Sequence, residues 1–324
     1  MEKLKTNKTL TFLIGTILIY ALLMLGMSVG IINYYYTGVL ISILINVIMA
    51  TSLALVTGYL GELVLGHAGF MAIGAYTSAL ITMNLDLPMF IEFPIGLIVG
   101  GVFAAFIGVL IGIPALRLRG DYLGIITLGF GEIIRIVLNN LKITNGAKGL
   151  SGISSYSNFS ITFVITAAIV ATLFLLIKSR HGRAIIAIRE NEIATDCIGI
   201  STFYYKTFAF AIAAFFAGIG GGLYAHYLQG LTPSSFGFLN SIEYLIIVVL
   251  GGMGSLSGTI IAAIVLGILN EMLRAFSEYR MLIYSVVLVV MMICKAKGIT
   301  FKSILGKVGL EGKFKKTVSL GKEE

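Results

Sequence analysis

Charge is absent from this chain over long intervals. No Asp, Glu, Lys or Arg occurs from Thr9 to Gly61, a run of 53 residues. Further uncharged runs cover 63–85, 93–116, 149–177, 207–242 and 244–270, with a shorter one at 281–294. A helix crossing a bilayer core needs about 20 apolar residues. The first run therefore holds two spans with a turn near NYYYTG at 33–38, the later runs predict spans at 63–85, 93–116, 158–177 and 207–229, and a further span at roughly 121–141 carries Glu132 and Arg135. The run at 241–270 is interrupted by GGMGSLSG (251–258), where four glycines break the helical pattern. It is either a re-entrant hairpin (or pair of short helices) or one long span. Non-helical backbone at that depth persists only where it is buried in protein or lines a wet cavity. The pattern predicts an all-α polytopic membrane protein with about 8–10 transmembrane or re-entrant helices.

Composition agrees. The 324 residues are 58% hydrophobic and 12% charged, where a soluble domain carries about 25% charged residues. The apolar stretch 9–30 after MEKLKTNK is longer than a signal-peptide core and has no small-residue cleavage site, so it reads as a retained span. Cys197 and Cys294 give no disulfide or metal spacing. The net charge of +8 gathers in short hydrophilic segments, which is a positive-inside distribution rather than a nucleic-acid surface.

Charge also orients the spans. Lys3, Lys5 and Lys8 put the N-terminus (1–8) in the cytoplasm. The first six spans (9–177) then alternate so that Arg117 and Arg119 lie inside, the loop with Asp86 and Glu92 lies outside, and 178–206 faces the cytoplasm. The C-terminal spans (207–294), with their break at 251–258, lead to a tail (295–324) holding eight lysines against three glutamates, which also belongs inside.

The segment 178–206 concentrates charge. Residues 183–198 project at 100° per residue as one amphipathic helix: Ile186, Ala187, Ile193, Ala194, Cys197 and Ile198 share a side, and Arg189, Glu192 and Asp196 lie opposite. Arg189 and Glu192 are three apart and able to pair; Glu190 falls on the apolar side. Gly182 precedes the helix, and Gly199 sits where a left-handed cap favours glycine. Such a helix either lies along the headgroups or docks a cytoplasmic partner. The chain has no phosphate-cradling G-x-x-x-x-G-K-[ST] loop, so ATP-driven transport requires a partner to hydrolyse ATP.

Other residues have two readings each. Glu132 and Arg135 lie three apart in the fifth span, as a structural ion pair or as a pathway element. His67, among Gly61, Gly66, Gly69 and Gly74, marks either a broken helix lining a route or a tight helix contact with a satisfied imidazole. His226 reads as interfacial, Glu243 as snorkelling to the headgroups, and TNGAKGLSGI (144–153) as a solvated outer turn with Lys148. No catalytic or metal constellation is present, so the chain reads as a non-enzyme.

Several blocks together resemble one family. They are TGYLGELVLGHAGFMAIGAYTSALI (57–81), LRLRGDYLGIITLGFGEIIRIVLNN (116–140), TNGAKGLSGI (144–153), HGRAIIAIRENEIATDCIGIS (181–201), YKTFAFAIAAFFAGIGGGLYAHYLQGLTPSSF (205–236) and LIIVVLGGMGSLSGTIIAAIVLG (245–267). In order and spacing they are similar to the LivM-type permease subunits of branched-chain amino acid ABC importers, over roughly residues 35–295. The resemblance implies an ABC importer permease architecture in the cytoplasmic (inner) membrane. It implies a second, homologous permease subunit forming a heterodimer, two cytoplasmic ATPases that bind ATP and Mg, and an external solute-binding protein. No cofactor belongs to the chain itself.

The family's coupling loop matches 182–199, which makes Gly182, Arg183, Arg189, Glu192, Asp196 and Gly199 the expected ATPase-coupling residues. Its E-A-A-x-x-x-G pattern has a looser form here, Glu192-Ile193-Ala194 with Gly199 seven residues after the glutamate. Where the family usually has Gln and Ser, this chain has Glu62 and Val64. Gly66, His67, Gly69, Glu132, Arg135, Gly251, Gly252 and Gly254 are the expected pathway residues. A stand-alone ion-coupled transporter or channel is the rival, and would need mid-membrane carboxylates or repeats with broken helices.

Overall fold

The computed structural model describes residues 15, 16, 18–30, 33–85, 88–118, 120–276, 285, 286 and 289. The cytoplasmic N-terminal stretch, Asp86, Arg119, Cys294 and the lysine-rich tail expected above lie outside the described residues. The chain divides into two units, 1–271 and 272–324. In the second, the described residues form a 3₁₀ turn, Leu273–Phe276, and short helical pieces at 285, 286 and 289.

Unit 1 is mainly helical. After α1 (Leu18–Ser28), α2 runs from Tyr34 to Ala54 and continues as a π-helical stretch, Leu55–Leu60. The chain is non-helical from Gly61 to Gly66 and then forms α3 (His67–Asn84), α4 (Met89–Ala115) and α5 (Asp121–Asn140). Next come α6 (Phe159–Lys178), the short helices α7 (Arg180–Glu190) and α8 (Glu192–Cys197), and the long α9 (Thr202–Leu228). The helices α10 (Phe238–Gly251) and α11 (Leu256–Met272) complete the unit. Six of these segments are long and apolar enough to cross a membrane, from Tyr34–Leu60 to Pro233–Gly251, and α1, α3 and α11 are shorter or less apolar helices beside them.

The centre of the bundle is built on small residues. A Cβ added at Gly74 of α3 would lie 2.1 Å from the carbonyl oxygen of Gly218 in α9, so the two backbones touch. In a bilayer there is little hydrophobic drive between helices, and close backbone packing of this kind supplies the attraction instead. Phe210, Leu223 and Tyr76 fill the remaining space, each no more than 2% exposed.

At one end of the bundle the 144–153 loop is not a free turn. Leu150–Ser151 (β1) pairs antiparallel with Gly230–Leu231 (β2). His226 is fully buried, with Nδ1 2.9 Å from the Ser154 carbonyl and Nε2 3.3 Å from Ser78 Oγ, and its ring stacks on Tyr156. It ties this loop to α3 rather than sitting at an interface with headgroups. Glu243 is half-buried and accepts a 2.7 Å hydrogen bond from Asn270 Nδ2.

That contact also settles the path at 241–270. Residues 243 and 270 stand side by side, and Gly251 abuts Gly258, where an added Cβ would meet the Gly251 carbonyl at 1.9 Å. So α10 and α11 form an antiparallel hairpin, with its tight turn at Gly252–Ser255.

Candidate functional site

The charged segment forms two helices rather than one. Ser179 caps α7 through Oγ, which accepts from the Gly182 amide at 3.3 Å, so the helix starts before residue 183. It ends at Asn191, which is extended (φ −161°, ψ 107°) and whose Oδ1 accepts from Ala194 N at 3.0 Å to cap α8. A side-chain oxygen there satisfies one of the orphan amides of a new helix, which makes the break favourable. The break also rotates the faces away from the single-helix projection. Ala184, Ile185 and Ile188 are buried, whereas Ile193 and Ile198 are 67% and 73% exposed. Cys197 is exposed as well.

Arg189 and Glu192 do not pair, because the break at Asn191 sends them to different partners. Arg189 Nη1 donates to the carbonyl of Gly58 in the π stretch at 2.7 Å. Its aliphatic stem lies 2.9 Å from where a Cβ of Gly61 would be, and its guanidinium lies 2.7 Å from the same position on Gly254, at the hairpin turn. Both glycines have positive φ, +86° and +87°, so a side chain at either would be strained as well as crowded. Arg189 thus touches α2 and the α10–α11 turn at once.

Glu192 Oε1 is 2.9 Å from Lys206 Nζ, and the same ammonium is 2.7 Å from Glu62 Oε1. The Lys206 side chain is 3% exposed, the Glu62 side chain 14%. A buried lysine between two carboxylates is held by charge-assisted bonds. The triad joins α8, the 61–66 segment and α9. Sequence reasoning missed Lys206, although one signal was available: Glu62 departs from the glutamine usual in the resembled family, and an acid in that place needs a cation.

The remaining coupling candidates act within the chain. Asp196 Oδ1 accepts from the amide and hydroxyl of Thr202, at 3.4 and 3.3 Å, and so caps the start of α9. Gly199 has φ +86° just past α8, a left-handed cap that suits glycine. Gly182 lies against the last turn of α6, where an added Cβ would sit 2.2 Å from the Ile177 carbonyl. Arg183 is exposed and donates to the Lys178 carbonyl at 3.3 Å.

The candidate pathway residues fall into two groups. Around α3 the helix is indeed broken: α2 continues eight residues past Ser52 to Leu60, yet Ser52 Oγ lies 2.9 Å from Nε2 of His67. The 61–66 segment therefore runs back up beside α2, and α3 begins about 12 Å inside the bundle end. Its first-turn amide at Ala68 donates to Ser241 Oγ at 3.0 Å. His67 is 1% exposed. Gly66 and Gly69 face Gly131 of α5, with an added Cβ at Gly69 3.1 Å from Gly131 Cα. The geometry has a break before α3 and, at its start, a buried imidazole with a hydrogen-bond partner, as in the tight-contact reading of His67.

Replacing Ser52 with Ala removes the partner of Nε2 of this buried ring, which keeps its hydrogen bond with the Met49 backbone. The expected cost is about 1–3 kcal/mol of stability, read as earlier thermal unfolding in detergent, with the uptake KM unchanged.

In α5, Arg135 Nε and Nη2 both lie 2.7 Å from Glu132 Oε2, while Glu132 Oε1 accepts from Phe238 N at 3.1 Å. The pair is part-exposed and fixes the start of α10. Gly251, Gly252 and Gly254 belong to the hairpin turn and its approach; Gly251 packs on Gly258 and Thr259, and Gly254 lies against Arg189.

The family described as the branched-chain amino acid transport system permease component matches residues 35–295. The high-affinity branched-chain amino acid transport system permease protein LivM of Escherichia coli (strain K12) is 41% identical, over 79% of this chain and 68% of its own. The ribose import permease protein RbsC of Haemophilus influenzae is 26% identical over 88% of this chain and 95% of its own. The permease protein LivH of Escherichia coli (strain K12) is 25% identical over 81% and 92%. No solved structure matches.

Proposed function

Because the chain belongs to the branched-chain amino acid transport system permease family, we propose that it is the membrane-embedded subunit of an ATP-driven importer that carries branched-chain amino acids inward. It works beside a second, homologous permease subunit; relatives named LivM and LivH both match the chain. Two cytoplasmic ATPases bind ATP and Mg and supply the energy, and an external binding protein delivers the solute. The basic residues Lys178, Arg180 and Arg183 around α7 support a cytoplasmic position for the α7–α8 pair.

One observation carries the mechanism. The α7–α8 pair is gripped from the membrane side by Arg189 and by Glu192–Lys206, while Ile193, Cys197 and Ile198 point outward without cover. Apolar residues exposed beside a charged rim suit a docking surface. Closure of the ATPases around ATP pushes this surface. Arg189 passes the movement to the hairpin turn and the π stretch, and Lys206 passes it to α9 and the 61–66 segment. Both lead to the break before His67, where a change of access between the two sides would be made.

Co-purification with the cognate ATPases tests the docking face. Ile193→Asp or Ile198→Asp each removes one buried apolar contact, worth about 1.5–3 kcal/mol, so ATPase retention should fall at least about tenfold. Retention equal to the parent chain in both variants places the docking face elsewhere.

A further inference from the structure

Between the end of α6 and the start of α11 lies a cleft of about 340 Å³ that the transport reading does not use. Its walls are Val170, Phe174, Ile177, Leu256 and Ile260. Its polar end holds Lys178, Tyr59, Ser255 and Ser257. The geometry points to a binding site for an anionic phospholipid, with the headgroup phosphate on Lys178 and the two serine hydroxyls and an acyl chain along Phe174 and Ile260.

The polar end is rich in donors. Lys178 Nζ lies 3.6 Å above the Phe174 ring and is paired with no carboxylate among the described residues. Tyr59 Oη accepts from Leu256 N and keeps its own proton to donate. Ser255 Oγ accepts from Gly258 N and lies 3.5 Å from Ser257 Oγ, so one proton of the serine pair bridges the two and the other is left to donate. A donor-rich end with a lysine suits an anion. Lys178 is also the first charge after the uncharged run 149–177, with Arg180 and Arg183 following. That is the level of the headgroups, where basic pockets between helices hold anionic lipid.

A free phosphate ion would gain nothing from the apolar walls. A lipid would use both ends, and beside the cleft Leu175 (58%), Ile261 (62%) and Val265 (50%) are exposed to receive the rest of its chains. The site touches the α6–α7 junction and the hairpin turn together, so an occupant would brace the same elements that Arg189 links.

Native mass spectrometry of the full chain, released from vesicles of phosphatidylglycerol and phosphatidylcholine, tests this. The wild-type chain should retain phosphatidylglycerol about fivefold better than phosphatidylcholine, the share one lysine contributes. Lys178→Gln should abolish that preference, Lys178→Arg should keep it, and Ile260→Trp, which fills the cleft, should reduce retention of both lipids. Equal retention of the two lipids by the wild type, or an unchanged preference in Lys178→Gln, overturns the proposal. So does displacement of the lipid by inorganic phosphate, or loss of it when the cognate ATPases bind.

Discussion

Lys206→Met is expected to cost the protein both stability and transport. The substitution removes the ammonium that Glu62 and Glu192 now share, where the Lys206 side chain is 3% exposed between them. Removing one partner of a buried ion pair typically costs about 3–5 kcal/mol, because an uncompensated charge stays behind. Thermal unfolding in detergent should therefore begin well below that of the parent chain, and ATP-driven uptake should fall by more than about tenfold. The triple variant Lys206→Met, Glu62→Gln, Glu192→Gln separates the two effects. Neutralising all three groups removes the stranded charges, so stability should largely return. Uptake should stay low, since the link from α8 to α9 is still missing. Full uptake in the stable triple variant would reduce the triad to a structural device.

The second large effect is expected from the double reversal Arg189→Glu, Glu192→Lys. A carboxylate at 189 would face the Gly58 carbonyl, which now accepts from Arg189 at 2.7 Å. A lysine at 192 would face Lys206 across the present 2.9 Å contact. Both grips on the membrane helices then become repulsive, while Ile193 and Ile198 keep the docking face intact. ATP hydrolysis by the assembled transporter should continue, and uptake per ATP should drop by about tenfold or more, the effect of a coupling term above about 1.4 kcal/mol. Normal uptake per ATP, with the ATPases still bound, would remove the relay from the account.

How much of this was legible in the sequence depends on what each residue gives away locally. A charge in a bilayer is costly enough that uncharged runs mark spans, and α2, α4 and α6 fall where those runs place them, while α5 carries Glu132 and Arg135 as a pair. The same rule misplaced the start of α9. Lys206 interrupts its run, yet the helix begins at Thr202, because Glu62 and Glu192 arrive from other elements and neutralise the lysine. The π stretch at 55–60 carries no mark in its composition, and the 61–66 segment and the first turn of α3 depend on contacts with Thr127, Ser52 and Ser241 that only the fold assembles.

In the charged loop, an unbroken 100° period gave the wrong buried face. Asn191 followed by Glu192 is a good start signal for a helix, and once α8 begins there, Ile193 and Ile198 turn outward. Gly199 needed no such help, since a glycine just past a helix is a local feature. By contrast, the partners of Arg189 are a backbone carbonyl and two glycines, none of which advertises itself as an arginine site.

The central claim is that this chain moves its solute only when partner ATPases work on α7–α8. The direct measurement is uptake of labelled leucine into vesicles holding the chain, its second permease subunit and the cognate ATPases, with the binding protein outside and the energy source varied. Uptake should require ATP on the ATPase side and vanish when the ATPases are omitted, whatever ion gradient is imposed. Leucine accumulation by the chain alone, driven by a proton or sodium gradient without ATP, would contradict it.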